Sequence, residues 1–333
     1  PRPSESESAA TMRLWTYSDS CNMKHEGCCA ESAVEDARRV CDKLGIDFYV
    51  MNFKDMFKDK VVDYFVDEYI HGRTPNPCIA CNKYLKFDAL LKKALAMGID
   101  YVATGHYAKI EKGEDGKYIL RASEAVKKDQ SYVLYNFTQE QLAHTLMPLG
   151  GYNKDWVRQK AEELGLGVAH KPDSQEICFV EDDDYAKFIT DYSGYKPKEG
   201  DILDVNGNVI GKHRGLIYYT IGQRKGIGAY GRPMFVMKID AENNTITLGE
   251  KGMEFSNELT AYDVNFVSGE FPKENMLITA KVRYQAPPAA AMLCPQKDGT
   301  VKLMFPEPQR AVTPGQAVVF YDGDIVLGGG TVL

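Results

Sequence analysis

The chain lacks the features that would place it in a membrane or outside the cell. Apolar runs such as AVVF at 317–320 are far short of the roughly 20 residues that a membrane-crossing helix needs. No charged stretch followed by an apolar one opens the sequence, which predicts a cytoplasmic protein. Eight cysteines in 333 residues are few for a disulfide scaffold, so most are expected to be thiols in a reducing compartment. Positive charge is not in excess either. Forty Lys and Arg against 47 Asp and Glu leave a net charge of −7, which excludes indiscriminate coating of nucleic acid. A folded RNA read through a local basic surface remains compatible, because phosphate contacts depend on local charge. There is no internal repeat, and no low-complexity tract beyond the polar opening PRPSESESAA, which is expected to be unordered unless something ties it down. With 44% hydrophobic and 26% charged residues, the chain has the composition of a globular protein of two or three domains.

Strands and helices alternate through the first half. TMRLW, DFYVMNF and DYVATGHYA read as strands, and AESAVEDARRVCDKLGI, KDMFKDKVVDYFVDEYIHG and CNKYLKFDALLKKALAMG read as helices between them. In the first helix, Ala30, Val34, Ala37, Cys41 and Leu44 form the expected inner stripe. Such alternation implies a parallel sheet with helices on its faces. Residues 109–121 read as a hairpin. TQEQLAHTLMPLG, NKDWVRQKAEELG and DDYAKFITDY read as further helices, with the polar loop HKPDSQEICFVEDDD before the last. Beyond about residue 195, Gly, Asp and Asn clusters separate short β-rich runs, which predicts one small all-β unit over 197–250 and another from 255 onward.

The motif NPCIACNKYLKF holds Cys78 and Cys81 in a C-x-x-C. A structural zinc site needs four ligands, and the sequence has neither a second C-x-x-C nor a histidine pair at suitable spacing. The pattern places Cys81 in the first turn of a helix, directly after a TPNP loop whose prolines stiffen the approach. Free N–H groups and the helix dipole favour a thiolate there, and thiolate is the attacking species. Cys81 is therefore a candidate nucleophile, and the same layout also suits a thiol–disulfide exchanger. Cys178, in DSQEICFV, reads either as a small core residue or as a second reactive thiol. Two thiols distant in sequence and close in space would support sulfur relay, one carrying a persulfide and the other resolving it.

Taken together and in order, GRTPNPCIACNKYLKF, DYVATGHYA, KDQSYVLY, KPDSQEICFV, TIGQRKGIG and VRYQ closely resemble the bacterial-type tRNA-specific 2-thiouridylase family, from about Met12 to the C-terminus. The resemblance implies a PP-loop, nucleotide-hydrolase-like α/β catalytic domain over 1–193. A small β-rich central domain over 194–252 and a C-terminal tRNA-binding β-barrel over 253–333 would follow. It implies a monomeric enzyme that uses ATP and Mg2+ to adenylate the C2 oxygen of the tRNA wobble uridine, which persulfide sulfur then replaces. A cysteine desulfurase or sulfur-relay protein would supply that sulfur. By the same resemblance Cys178 bears the persulfide, Cys81 attacks it, and the two end as a disulfide. Asn76, Pro77 and Cys78 would meet the target base, and Met12 and Gly105 would contact ATP. His106, Lys128, Asp129, Gln130, Arg283, Tyr284 and Gln316 would face the tRNA. If Arg283 and Tyr284 alternate along a strand, one contacts RNA and the other packs.

Two features depart from the family pattern. The family carries an S-G-G-x-D-S loop after its first strand, where backbone amides wrap the ATP phosphates. That loop is absent from this sequence, and PRPSESESAA stands before TMRLW instead. The expectation is a member lacking this loop, with its ATP turnover in question. Some members also have Asp where Cys78 stands. With three thiols, Cys78, Cys81 and Cys178 become candidate ligands of a [4Fe–4S] cluster. A catalytically silent tRNA binder and a thiol oxidoreductase using Cys78 and Cys81 are the competing readings.

Overall fold

The computed structural model describes residues 7–15, 31–125, 128–171, 177–180 and 183–333. Cys21, Cys28 and Cys29, the first six residues, and 172–176 of the loop before Cys178 lie outside the described residues.

The N-terminal half has the expected parallel pairing, in two separate pieces. Strand β1 (Ser8–Arg13) pairs in parallel with β2 (Asp47–Asn52) across the helix Glu31–Leu44. On that helix Cys41 is buried. Leu44, expected on the inner stripe, is exposed at the last turn, where the chain leaves through Gly45 in the left-handed region. The third strand is much shorter than DYVATGHYA suggested. β3 is Val102–Ala103, paired in parallel with β6 (Thr145–Leu146), so TQEQLAHTLMPLG is a short helix, Gln139–Ala143, and then a strand. The hairpin is present as β4 (Ala108–Lys112) and β5 (Tyr118–Ala122).

Two long helices, 54–70 and 77–96, carry the centre of this half. Each runs through a stretch of wider π-type winding, Lys58–Asp63 in one and Cys81–Leu90 in the other. Together with the segment around Phe179 they enclose an aromatic core of Phe57, Phe65 and Phe179, with ring centroids 5.2–5.7 Å apart. Edge-on contacts at such spacings add to the gain from burying area alone.

The middle unit is a four-stranded sheet in the order β8-β7-β10-β9, from β7 (Gly200–Leu203), β8 (Val209–His213), β9 (Met234–Asp240) and β10 (Thr245–Glu250). Its core is Ile202, Val236, Ile246 and Leu248. The last unit comprises β11 (Phe255–Phe266), β12 (Met276–Lys281), β13 (Ala289–Pro295), β14 (Val301–Arg310), β15 (Ala317–Asp322) and β16 (Ile325–Val332). These pair in the order β11-β14-β13-β12-β15-β16, and β16 returns to β11, so six strands close a barrel and leave no edge within it. The alternation in VKLMF puts Val301, Leu303 and Phe305 inside.

The barrel and the N-terminal half share a core. Ile79 and Phe87 of the helix 77–96 pack in one cluster with Leu120, Tyr132 and Leu134 and with Ala317, Val319 and Tyr321 of β15. The β4–β5 hairpin extends the barrel sheet beside β16, where Ala122 N donates to Asp324 O at 2.8 Å and Arg121 pairs with Asp324 at 2.7 Å. Fully buried Tyr132 donates its hydroxyl to Ala317 O at 2.7 Å. Tyr132→Phe removes that bond inside the shared core and is expected to lower stability by about 1–2 kcal/mol, read as a lower denaturant midpoint at unchanged slope in urea unfolding.

Candidate active site and RNA-facing surface

The cysteine helix is set from its entry loop. Arg73 forks onto the buried Glu68 carboxylate, with Nε at 2.8 Å from Oε2. Thr74 is then gripped by the turn before β15: its N–H donates to Pro314 O at 2.9 Å, and its carbonyl accepts from Gln316 Nε2 at 2.7 Å. Gly315 between them has φ +86°, and a Cβ there would stand 2.9 Å from Thr74 N, so only glycine allows this approach. Two residues on, the Asn76 carboxamide accepts from Cys78 N at 3.1 Å and Ile79 N at 3.4 Å, and Pro77 takes the first helical position.

This cap corrects the expected start of the helix. The sequence pattern began it near Cys81, but Asn76 and Pro77 begin it four residues earlier. Cys78 therefore sits exposed in the first turn, and Cys81 begins the second, 9% exposed. The field of a helix N-terminus fades beyond the first turn, so it acts on Cys78 rather than on Cys81. Cys81 instead belongs to the aromatic core of Phe57, Phe65 and Phe179, and half-buried Cys178 packs against that same cluster. The fold thus gathers the two distant thiols at one apolar centre. Among the described residues no three His, Cys, Asp or Glu side chains form a set that would hold a metal ion, and this includes Cys78, Cys81 and Cys178. Cys78 faces outward while the other two turn to the core.

A second group gathers around Tyr284. Tyr284 donates its hydroxyl to Asp129 O at 3.1 Å. Burial raises its phenol pKa, as do the nearby Asp129 and Cys78, against the opposing charge of Lys128. Tyr284 therefore touches Asp129 and lies within electrostatic reach of Lys128 and Cys78. Strand β12 ends at Lys281, which leaves Arg283 and Tyr284 in the turn beyond it. They do not alternate across a sheet as expected. Both lie beside Tyr132, the Tyr284 ring 5.7 Å from it edge-on, and Arg283 donates to Arg310 O at 3.0 Å. Lys281 stands over both tyrosine rings, at 5.8 and 5.7 Å.

The side chains of Asp129 and Gln130 are occupied within the protein. The Asp129 carboxylate accepts from Ser123 N at 2.9 Å and from the Ser131 hydroxyl at 2.7 Å. Gln130 and Tyr107 exchange two bonds, of 3.0 and 2.9 Å. These two residues shape the loop that presents Lys128. Sequence reasoning passed over Lys154 and Arg158, and Lys154 lies within electrostatic reach of both Lys128 and Arg158. Burial and the neighbouring cations Lys128 and Arg158 lower the Lys154 pKa. The spacing of Lys154 and Arg158, four residues in NKDWVRQK, was the available signal, since it puts both on one side of a helix.

Gly105 is exposed two residues past β3, at the carboxyl end of a parallel pair, and a Cβ there would meet only Leu149, at 3.7 Å. The position has open space on its outer side, as a ligand contact at a strand end requires. Met12, in β1, packs against the aromatic core, and its strand is not paired with β3. His106 places Nδ1 2.9 Å from the Thr104 hydroxyl and its ring 5.6 Å from Phe87. Burial, helped by Lys86, pushes its pKa down to about 3, so it is neutral at physiological pH.

An α/β domain with strand-end ligand space, a small β sheet and a closed barrel that grips a cysteine loop define a three-part nucleotide-hydrolase-like protein. Residues 4–182 match the tRNA methyl transferase HUP domain, 186–250 the tRNA methyl transferase PRC-barrel domain, and 256–332 the aminomethyltransferase beta-barrel domain. The chain is 57% identical over 326 residues to the tRNA-specific 2-thiouridylase MnmA of Acetivibrio thermocellus, covering 97% of this chain and 91% of that protein. Against the tRNA-specific 2-thiouridylase MnmA of Clostridioides difficile it is 56% identical over 324 residues, 97% and 90% of the two chains. The chain belongs to the tRNA-specific 2-thiouridylase family. Among the described residues no helix is long and apolar enough to cross a membrane.

Asn76→Ala removes the cap and is expected to cost about 1 kcal/mol, measured by urea unfolding. His106 gives a pH signature. Its unfolded form takes up a proton near pH 6.5, whereas the folded form does so only near pH 3. Stability is therefore lost as pH falls between those values, by up to one proton's worth of slope. In His106→Asn, denaturant titrations across that window should show a shallower loss, and an unchanged slope would remove the assignment.

Proposed function

We propose that the chain replaces the C2 oxygen of the tRNA wobble uridine with sulfur, using ATP, as a cytoplasmic monomer divided at about residues 193 and 252. The observation that carries this reading is the convergence of Cys81 and Cys178 on one apolar cluster, one turn of helix away from exposed Cys78. Asn76, Pro77 and Cys78 meet the uridine. Lys128, His106, Arg283 and Tyr284 face the RNA around it, while Asp129, Gln130 and Gln316 hold the surrounding loops. Met12 and Gly105 contact the ATP that activates the C2 oxygen as an adenylate.

Cys178 carries a persulfide received from a desulfurase or relay protein. Cys81 Sγ attacks Cys178 Sγ, and the persulfide S–S bond breaks with its electron pair remaining on the terminal sulfur. That sulfur adds to C2, and the adenylated oxygen leaves as AMP. Cys81 and Cys178 are left as a disulfide, which a dithiol reductant reopens with two electrons. An apolar surrounding keeps water from the persulfide and the adenylate. The family's S-G-G-x-D-S segment is not within these 333 residues, so ATP use is tested separately, by uridine-dependent release of pyrophosphate.

Exposed Cys78 beside buried Cys81 is also the arrangement of a dithiol pair, so the deciding experiment carries an arm for it. The protein is incubated with tRNA, ATP and a persulfide donor, and the nucleosides are read by mass spectrometry. The expected product is 2-thiouridine, reduced at least about 100-fold in Cys81→Ser and in Cys178→Ser and retained in Cys78→Asp. tRNA binding without thiouridine identifies a silent binder, and dithiol turnover without RNA identifies an oxidoreductase. Either result overturns the proposal.

A further inference from the structure

Behind the cap of the cysteine helix lies a cleft of about 370 Å³, where the helices 54–70 and 77–96 meet the barrel. Asn76, Ile79 and Ala80 form one wall, so the residue that caps the helix also borders this space. Four tyrosines line it: Tyr64, Tyr84, Tyr135 and Tyr262. Its charged groups are matched within the wall. Lys60 pairs with Asp59 at 2.9 Å, and Lys83 pairs across the domain junction with Asp263 at 2.7 Å. Burial raises the phenol pKa values of Tyr64 and Tyr262, and that of Tyr135 to about 12, so these hydroxyls stay neutral. The lining is aromatic, hydrogen-bonding and without net charge. That chemistry suits a flat neutral group better than a phosphate, a carboxylate or a cation.

The wall is also shaped at a backbone cost. Asp263 has φ +48°, a left-handed conformation at a non-glycine residue. It lies where the pairing of β11 with β16 shifts register between Tyr262 and Asn265. Bulges of this kind re-aim side chains beside sites, and here Tyr262 and Asp263 both border the cleft.

We propose that this cleft holds a nucleobase of the bound tRNA, the neighbour in sequence of the uridine met at Asn76–Cys78. The inference rests on the tRNA reading above and adds to it a second base contact, one that selects among tRNAs. A base unstacked from an anticodon loop is flat, uncharged and rich in hydrogen-bonding edges, and aromatic side chains are its usual resting place in single-stranded RNA recognition. Asn76 borders both positions, so one stretched phosphodiester step would separate the two bases.

The test measures binding of the full chain to intact tRNA and to the same tRNA made abasic at each nucleotide flanking the wobble uridine. Tyr84→Ala and Tyr262→Ala are each expected to weaken intact tRNA by about 5- to 100-fold, and Tyr262→Phe, which keeps the ring, binds like the parent. One abasic tRNA should show the same loss in the parent protein and no further loss in the alanine variants. Parent-like binding by both alanine variants, or losses that simply multiply with every abasic tRNA, overturns the inference while leaving the tRNA reading intact. Failure of the parent protein to bind any tRNA overturns both. Competition for the cleft by free adenosine, lost in Tyr262→Ala and without effect on tRNA binding, would show that it serves a free nucleoside and overturns the inference as well.

Discussion

The site depends on how the barrel holds the chain just before the cysteine helix. Pro314, Gly315 and Gln316 close on Thr74 through two backbone-directed hydrogen bonds and one contact that a side chain at Gly315 would block. With Thr74 fixed and Pro75 and Pro77 stiffening the next steps, Asn76 is delivered to the cap position and the helix has one starting point. The shared core beneath, from Ile79 and Phe87 to Val319 and Tyr321, keeps barrel and helix from moving apart. A large apolar junction of this kind makes the two parts one rigid unit rather than hinged neighbours.

From that starting point a single helix serves two environments. Its first turn offers Cys78 to solvent beside Tyr284 and the loop of Lys128. Its second turn buries Cys81 in the aromatic cluster against which Cys178 also packs. A polar, cation-bordered rim suits recognition of RNA, whereas a dry aromatic floor suits sulfur chemistry that water would intercept. The barrel thus contributes to chemistry it does not perform, by fixing which thiol lies on which side. Gln316 shows this directly: its amide holds the Thr74 carbonyl and so fixes the loop that leads into the helix.

The loop of Lys128 follows the same division of labour. Asp129 and Gln130 spend their acceptors on Ser123, Ser131 and Tyr107 and so fix the loop that carries Lys128, whose charge is felt at Lys154. In a chain of net charge −7, a local gathering of cations such as Lys128, Lys154 and Arg158 is the electrostatic condition for approaching a polyanion.

Much of this was legible in the residues themselves. The 3.6-residue periodicity found the helices, polar turn residues found the hairpin and the later β units, and the ordered motifs found the family, because each of these signals is local. The exact beginning of the cysteine helix was misread, since CNKYLKF looks more helical than PCIA until Asn76 is recognised as its cap. VRYQ was read as strand, whereas β12 stops at Lys281. Residue types and local periods thus determined the fold class, the candidate thiols and the family. Tertiary structure alone decided that Cys81 and Cys178 belong to one apolar cluster while Cys78 is exposed, that Asp129 and Gln130 support the loop, and that a barrel turn sets the helix. The physical reason is that burial and hydrogen-bond partners come from segments far away in the chain, and no local pattern records which of them will meet.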